Sequence, residues 1–582
     1  MMTRLRGKAS LIIILTIIFL LLVAVYHILT NEIDDVPSSK VISHLRTENA
    51  YSSNNLIESH QRNVENHNLQ EELTGGNARN VPFRSYNYGK AYNTENPLFK
   101  GHKIVHLDLK GAPPKIGYYD HLFPLLCKLG ATGILIEYED TFPFDGPLSN
   151  ISASNSYSKQ DIITIQRLAK ANDLIVIPLI QTFGHLEFIL KLDKYKDLRE
   201  VFRYPQVICP THNESFPLIT EMIDQVVMAH PDSQYLHIGA DEVYQLGECS
   251  RCLNVLSKRR WSKKHLFLDH VSTVARYITQ KYPKLTVLMW DDEFREISSE
   301  EIMESGLNEL IEPVVWKYTT DPGASLADQL QDSYSQIWPA IWIATAFKGA
   351  TAPDRYYTDI SYHLENHRRW LEIIDRYSDK IKFKGAILTG WQRYDHFSVL
   401  CELLPSALPS LAVNLAMLQS SDLSGFYAEV PDRVTQTMKC EGTISLNIPE
   451  PQYGWTKCDY EGVAVYAATL RLFLLNQEWN KLEQDSAFKG WLKEYNIKHM
   501  FSSPSHVEHA LGDLNKFRME TFYIEKEMRV AMEMIYDNFT IEEWIETFIT
   551  PLNDKITNLW EAKEKLLEQS VWPRRPLTKA EL

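Results

Sequence analysis

Residues 235–242 read YLHIGADE, an apolar stretch of β type that runs straight into two adjacent carboxylates, Asp241 and Glu242. Seven more apolar, β-rich runs flank it, at 104–109, 133–138, 174–180, 286–290, 313–316, 341–346 and 385–391. Between them lie stretches such as 161–172, 218–230 and 264–282, whose apolar residues recur at helical spacing. Strand alternating with helix implies parallel strands joined by right-handed crossovers. Eight such units over about 300 residues predict a (β/α)8 TIM-type barrel, an α/β fold, across 101–405. A doubly wound sheet is the alternative, but it usually carries a Gly-rich phosphate turn after its first strand. The first run here leads into DLKGAPP at 108–114, which is no such turn. Beyond 405 the strand signal fades, and 466–484, 507–537 and 541–570 read as helical. That predicts a C-terminal helical domain over 406–582.

A barrel of this type carries its active site at the C-terminal ends of its strands. The eight ends deliver Asp108 and Lys110; Glu137, Glu139 and Asp140; Gln181 and His185; Asp241 and Glu242; Trp290, Asp291 and Asp292; Trp316 and Tyr318; Phe347 and Lys348; and Trp391, Arg393, Tyr394 and Asp395. Carboxylates and tryptophans on one rim suit a sugar. Its apolar ring faces stack on indole, its hydroxyls want charged acceptors, and carboxylates stabilise the cationic transition state of glycosidic cleavage. Trp261, Trp338 and Trp342 read as core, whereas Trp290, Trp316 and Trp391 end strands and read as pocket walls. On spacing alone Asp241 and Glu242 are equally an acidic helix cap, favourable with the helix dipole. An ordinary retaining glycosidase sets nucleophile and acid about 5–5.5 Å apart across the bond. It normally draws them from different strands, so sequence neighbours suit a reaction in which the substrate supplies its own nucleophile.

HIGADE at 237–242 resembles the His-x-Gly-x-Asp-Glu motif of glycoside hydrolase family twenty, the exo-β-N-acetylhexosaminidases. HLDLKGAPPK at 106–115, LIEYEDTFPF at 135–144, QTFGHLEF at 181–188, AFKGAT at 346–351 and LTGWQRYDH at 388–396 support the resemblance, which spans 101–405 and is nearer a non-lysosomal branch. It implies a retaining, substrate-assisted reaction in which the 2-acetamido group attacks its own anomeric carbon. By the same resemblance Glu242 is the acid and then the base, Asp241 orients the acetamido group, and His185 supports the acid with Glu139 or Asp140 behind it. Trp290, Trp316 and Trp391 would wall the sugar, with Glu137 and Asp292 among the substrate-binding residues. Two departures stand out: Lys110 replaces an Arg after the first strand, and Ala346-Phe347 replaces a Tyr after the seventh, a role Tyr394 could take over. The acid role requires Glu242 to hold a proton, and burial beside Asp241 should raise its pKa. No metal or other cofactor is implied.

The composition narrows the partners. With 60 Lys+Arg against 75 Asp+Glu, the net charge of −15 argues against a nucleic-acid partner. Residues 11–29, LIIILTIIFLLLVAVYHIL, carry no charge and match the roughly 20 residues a bilayer requires. Arg4, Arg6 and Lys8 precede them, and Glu32, Asp34 and Asp35 follow. This predicts a type II signal anchor within 1–30, with a flexible polar stem over 31–100 and the remaining chain in the Golgi, another secretory lumen or at the cell surface. A cleaved signal peptide is the competing reading. Sequons at Asn150, Asn213 and Asn538 agree with that route. In such a compartment Cys440 and Cys458, bracketing a Pro/Gly-containing loop, are the first expected disulfide. Cys249 and Cys252 form a CxxC without a second pair at similar spacing, which favours a local disulfide or separate partners over zinc. The sequence thus predicts an enzyme acting on terminal N-acetylhexosamine of glycans, with a homodimer compatible. The alternatives are a catalytically inactive, membrane-tethered glycan-binding protein and a chitinase-like endo-enzyme, whose DxxDxDxE motif is absent.

Overall fold

The computed structural model describes residues 97 and 99–577, apart from 422–425 and 447–451. The apolar run at 11–29 and nearly all of the polar stretch after it lie outside the described residues. Among the described residues no helix is long and apolar enough to cross a membrane.

Ten strands form: β1 His102–Asp108, β2 Gly133–Glu137, β3 Ile175–Leu179, β4 Arg199–Val201, β5 Tyr204–Ile208, β6 Tyr235–His237, β7 Thr286–Trp290, β8 Ile311–Trp316, β9 Ala340–Lys348 and β10 Lys382–Gly390. Eight of them close a parallel barrel in the order β1-β2-β3-β6-β7-β8-β9-β10, and β10 returns to β1. These are the eight runs expected from the sequence. The unanticipated β4–β5 pair is a separate antiparallel hairpin inserted after β3. Register levels the strand ends: Asp108 pairs with Glu137, and Trp316 with Ala344.

β6 is shorter than its apolar run. It meets β3 through the single pair Leu179↔His237 and ends there. The chain then turns through Gly239 and Ala240, both with positive φ (64° and 66°). This turn, rather than a continuing strand, brings Asp241 and Glu242 to the barrel mouth.

Two apolar layers hold the barrel. Inside, Ile104, Leu135, Leu288, Val314, Trp342 and Ile387 fill the bore together with Trp290. Outside, the other faces of the strands pack on the helices. The helix Leu404–Leu418 is buried along its whole length and packs on Ile360–Tyr377 and on β9. Its polar residues, Ser406, Ser410 and Asn414, are buried with the rest, so no solvent face marks it as amphipathic. Farther along, Val463–Gln484, Leu514–Glu533, Asn538–Phe548 and Thr550–Glu568 form the C-terminal helices. Arg393, just past β10, joins them to the barrel. Its guanidinium donates to Lys110 O (3.0 Å) and Ser398 O (2.7 Å) and pairs with Glu543.

Cys440 and Cys458 form the expected disulfide. Cys249 and Cys252 do not pair with each other: both are free thiols, which corrects the local-disulfide reading.

Candidate active site

The turn after β6 is built by close approach. A Cβ on Gly239 would lie 1.9 Å from Gln181 Oε1, and one on Gly184 would lie 2.1 Å from Asp241 O. Gln181, two residues past β3, accepts from Ala240 N (3.1 Å) and donates to Asp241 Oδ1 (3.2 Å). His237 Nδ1 accepts from Gly239 N (3.0 Å), and burial pushes its imidazole down to about 3, so it stays neutral. The first residue of the motif therefore shapes the turn. His185 and Glu242 also hold positive φ, 53° and 50°. Such strain in non-glycine residues gathers where side chains must be aimed.

One imidazole touches both carboxylates. His185 Nε2 lies 3.2 Å from Glu242 Oε2 and 3.6 Å from Asp241 Oδ2. Burial disfavours its charge, but Asp241, Glu242 and Glu187 outweigh burial and raise its pKa to about 10. The carboxylates then part in the direction opposite to that expected from sequence. Glu242 is only partly buried, and its hydrogen bond to His185 holds it below the usual glutamate value, with help from the Tyr244 hydroxyl. Asp241 is pushed up, chiefly by burial. The proton that the pair of Glu242 and His185 shares therefore rests on His185.

The acidic neighbour at the other nitrogen of His185 is neither Glu139 nor Asp140. Glu187 Oε1 faces Nδ1 at 3.9 Å, whereas Glu139 and Asp140 both turn to His396 (2.9 and 3.3 Å). Glu187 follows the Gly-His pair by only two residues, so the partner of His185 comes from its own loop and not from the second strand.

Aromatic rings line the bore beside these groups. Trp290 is fully buried, 5.9 Å from Trp391 between ring centroids. Trp316 stacks on Tyr318 (5.2 Å), and Tyr318 meets Trp391 edge-on (6.5 Å). Burial and the nearby charges of Asp241 and Asp292 push the Tyr318 hydroxyl well above its ordinary pKa. Tyr318 therefore stands in this well, where sequence reasoning had placed Tyr394. Tyr394 is an exposed residue of the outer wall, beside Asp395 and Phe397.

Two expected sugar ligands are engaged by the protein instead. Asp292 Oδ2 accepts from Glu242 N (2.9 Å) and Oδ1 from Trp316 Nε1 (3.1 Å), so it positions both. Glu137 is buried against His106 Nε2 (3.1 Å) and Lys110 Nζ (3.4 Å). Burial raises its pKa, but the Lys110 ammonium and the hydrogen bond to His106 prevail and hold the carboxyl far below the usual range. Lys110 also meets Asp108 (3.1 Å) and lies 5.1 Å from the Trp391 ring. Buried charges so paired brace the wall behind Trp391.

Outside the well, His185 and Glu242 open onto a pocket of about 550 Å³ whose walls include Tyr204, Tyr244, Tyr394 and Phe397. Glu242 thus stands between the ring cluster of Trp316, Tyr318 and Trp391 and the outer pocket.

The family model for the glycosyl hydrolase family 20 catalytic domain matches residues 122–338. The chain belongs to this family and is a glycoside hydrolase of the β-N-acetylhexosaminidase type. It is similar to hexosaminidase D of Homo sapiens, 37% identical over 476 residues that cover 81% of this chain and 96% of that one. It is also similar to hexosaminidase D of Bos taurus, 47% identical over 324 residues, 55% of this chain and 93% of the relative. Among solved structures, the Flavobacterium johnsoniae chitobiase covers 81% of this chain and 78% of its own at 13% identity, with a TM-score of 0.45.

Proposed function

We propose that the protein removes terminal, non-reducing β-linked GlcNAc or GalNAc from glycans, N-glycans of glycoproteins among them, by retaining, substrate-assisted catalysis. The observation that carries this reading is the contact of one imidazole with both Asp241 and Glu242 where the outer pocket meets the aromatic bore. The terminal sugar lies against Trp316 and Trp391, with Trp290 packed behind Trp391, and the Tyr318 hydroxyl meets its acetamido oxygen. Asp241, ionised, accepts the acetamido N–H and faces the positive charge that forms as the carbonyl oxygen bonds to the anomeric carbon. The glycosidic bond breaks, and its electron pair leaves with the aglycone oxygen, which takes a proton from Glu242. Glu242 then draws a proton from water as that water opens the oxazolinium, so the configuration is retained.

Glycan seated over Glu242 removes water from its carboxylate and favours its neutral form. The shared proton then passes from His185 to Glu242. Hydrolysis of a nitrophenyl N-acetylhexosaminide, followed by NMR of the released sugar, tests the enzyme reading. The β-anomer should appear first; no hydrolysis would favour the receptor, and activity confined to longer oligomers an endo-enzyme.

The proton balance predicts a pH profile. In the free protein the shared proton is lost only near pH 10, where His185 titrates. In His185→Asn, Glu242 alone must hold it, so the alkaline limb of kcat/KM should move down by several pH units. The same raised pKa favours folding fully below about 6.5, the unfolded value. That contribution disappears as pH rises toward 10, so the variant should lose stability relative to wild type mainly below that window. An unchanged alkaline limb would remove His185 from the proton balance.

We further propose a type II membrane placement through residues 11–29, in the Golgi or another secretory lumen. The uncharged run, its basic flank, the disulfide between Cys440 and Cys458, and the exposure of Asn150, Asn213 and Asn538 support it.

A further inference from the structure

Beside the outer pocket, three thiols and a carboxylate converge from three separate segments. Glu200 comes from β4, Cys209 stands one residue past β5, and Cys249 and Cys252 open the helix Ser250–Arg259. Their ligand atoms all lie within 4.8 Å of one another. Cys209 Sγ is 3.4 Å from Cys249 Sγ and 3.6 Å from Cys252 Sγ, and Cys252 Sγ is 3.1 Å from Glu200 Oε2. Glu200, Cys209 and Cys252 are buried.

We propose that Glu200, Cys209, Cys249 and Cys252 bind one structural zinc ion. Zinc–sulfur bonds of about 2.3 Å in a tetrahedron place the sulfurs about 3.8 Å apart, and a carboxylate oxygen at about 2.0 Å falls about 3.5 Å from each sulfur. The Cys209–Cys249, Cys209–Cys252 and Cys252–Glu200 separations are within about 0.4 Å of those edges. They are far from the roughly 2.05 Å of a disulfide. Binding releases the three thiol protons, and the thiolates favour zinc over magnesium or calcium.

The surroundings hold the ligands in place as second partners of metal ligands do. Glu200 Oε1 accepts from Glu248 N (2.7 Å) and Cys249 N (3.0 Å), which leaves Oε2 to the thiols. Cys249 Sγ accepts from Cys252 N (3.3 Å), as a thiolate in a CxxC turn does. The Thr211 hydroxyl lies 3.3 Å from Cys209 Sγ and 3.2 Å from Cys252 Sγ, and the nearby Arg251 guanidinium offsets negative charge on the thiolates. A search for a second CxxC cannot find this site, because its other half is one cysteine and one glutamate on a hairpin some forty residues upstream.

The ion would clasp two walls of the outer pocket. The hairpin contributes Tyr204 and Gln206 to that pocket, and the segment between Glu242 and Cys249 contributes Tyr244 and Gln245. Holding them together fixes the side that receives the leaving group. The site itself does not depend on the proposed reaction, since its first readout is metal content.

The test uses the full-length chain in mild detergent, purified without chelator. Elemental mass spectrometry should find about one zinc per chain, and Cys209→Ser should bind far less. Because that variant could fail to fold, wild-type protein is also stripped with a chelator and treated with an alkylating reagent. Cys209, Cys249 and Cys252 should react after stripping and be protected again by added zinc. Stripping should raise KM for an oligosaccharide more than for a nitrophenyl glycoside. A chain without zinc whose three thiols alkylate equally with and without the added ion would overturn the proposal. So would a disulfide between any two of them, or one equivalent of iron or copper in place of zinc.

Discussion

Glu242→Gln should slow hydrolysis of a glycan or a simple alkyl glycoside by about 10²–10⁴-fold, the usual value of a positioned general acid. A dinitrophenyl glycoside, whose leaving group needs no proton, should recover most of the cleavage step. Glu242 sits where an aglycone oxygen would pass, between the aromatic well and the outer pocket, with His185 Nε2 3.2 Å away to supply the proton. Its backbone N–H is held by Asp292, which does not change in the variant, so the loss reports the carboxyl itself. Added azide should accelerate the second step, where the missing base no longer draws a proton from water. Equal damage on every leaving group would assign Glu242 to binding rather than proton transfer.

Asp241→Asn should behave differently. Removing a preorganised group aimed at developing charge costs about 10²–10³ in kcat. A better leaving group cannot restore it, because the missing charge faces the oxazolinium and not the departing oxygen. A thiazoline that imitates the cyclised intermediate should inhibit the wild type strongly and this variant weakly. The prediction rests on Asp241 being ionised, and here the fold acts against the chemistry: burial raises its pKa while the His185 cation restrains the rise. Activity should therefore fall on the acid side at a pH above the ordinary aspartate value. If the thiazoline bound both proteins alike, an enzyme nucleophile would have to be sought elsewhere on the rim.

The barrel strands could be read from composition because most of their residues are buried on both faces and appear as short, mainly apolar runs. The same logic failed where burial is not periodic. Leu404–Leu418 is buried on every side, Ser406, Ser410 and Asn414 included, and the β4–β5 hairpin is too short and too polar at Arg199, Glu200 and Tyr204 to register as strand. At the site, residue type found the carboxylates and indoles but not their pairing. Nothing in the order of residues says that Glu137 is consumed by Lys110 and His106, or that Tyr318 rather than Tyr394 faces the well. Those outcomes depend on which side chains meet across the barrel. The pKa order of Asp241 and Glu242 was missed for a related reason: sequence showed two neighbouring acids, while the structure gives one of them the closer contact with His185.

The fork of Arg393 has a bearing on how the molecule comes apart. One planar guanidinium closes three segments at once: the loop after β1, the loop after β10 and, through Glu543, the helix Asn538–Phe548. A chain cut ahead of that helix would leave Arg393 without its carboxylate at the very strand end that carries Trp391. The C-terminal helices are thus part of the pocket's scaffold and not an appendage that evolution could exchange freely. Barrel and helices sharing such a tie melt together, so heat should reveal one calorimetric event for 86–582, not a catalytic module outliving its neighbour.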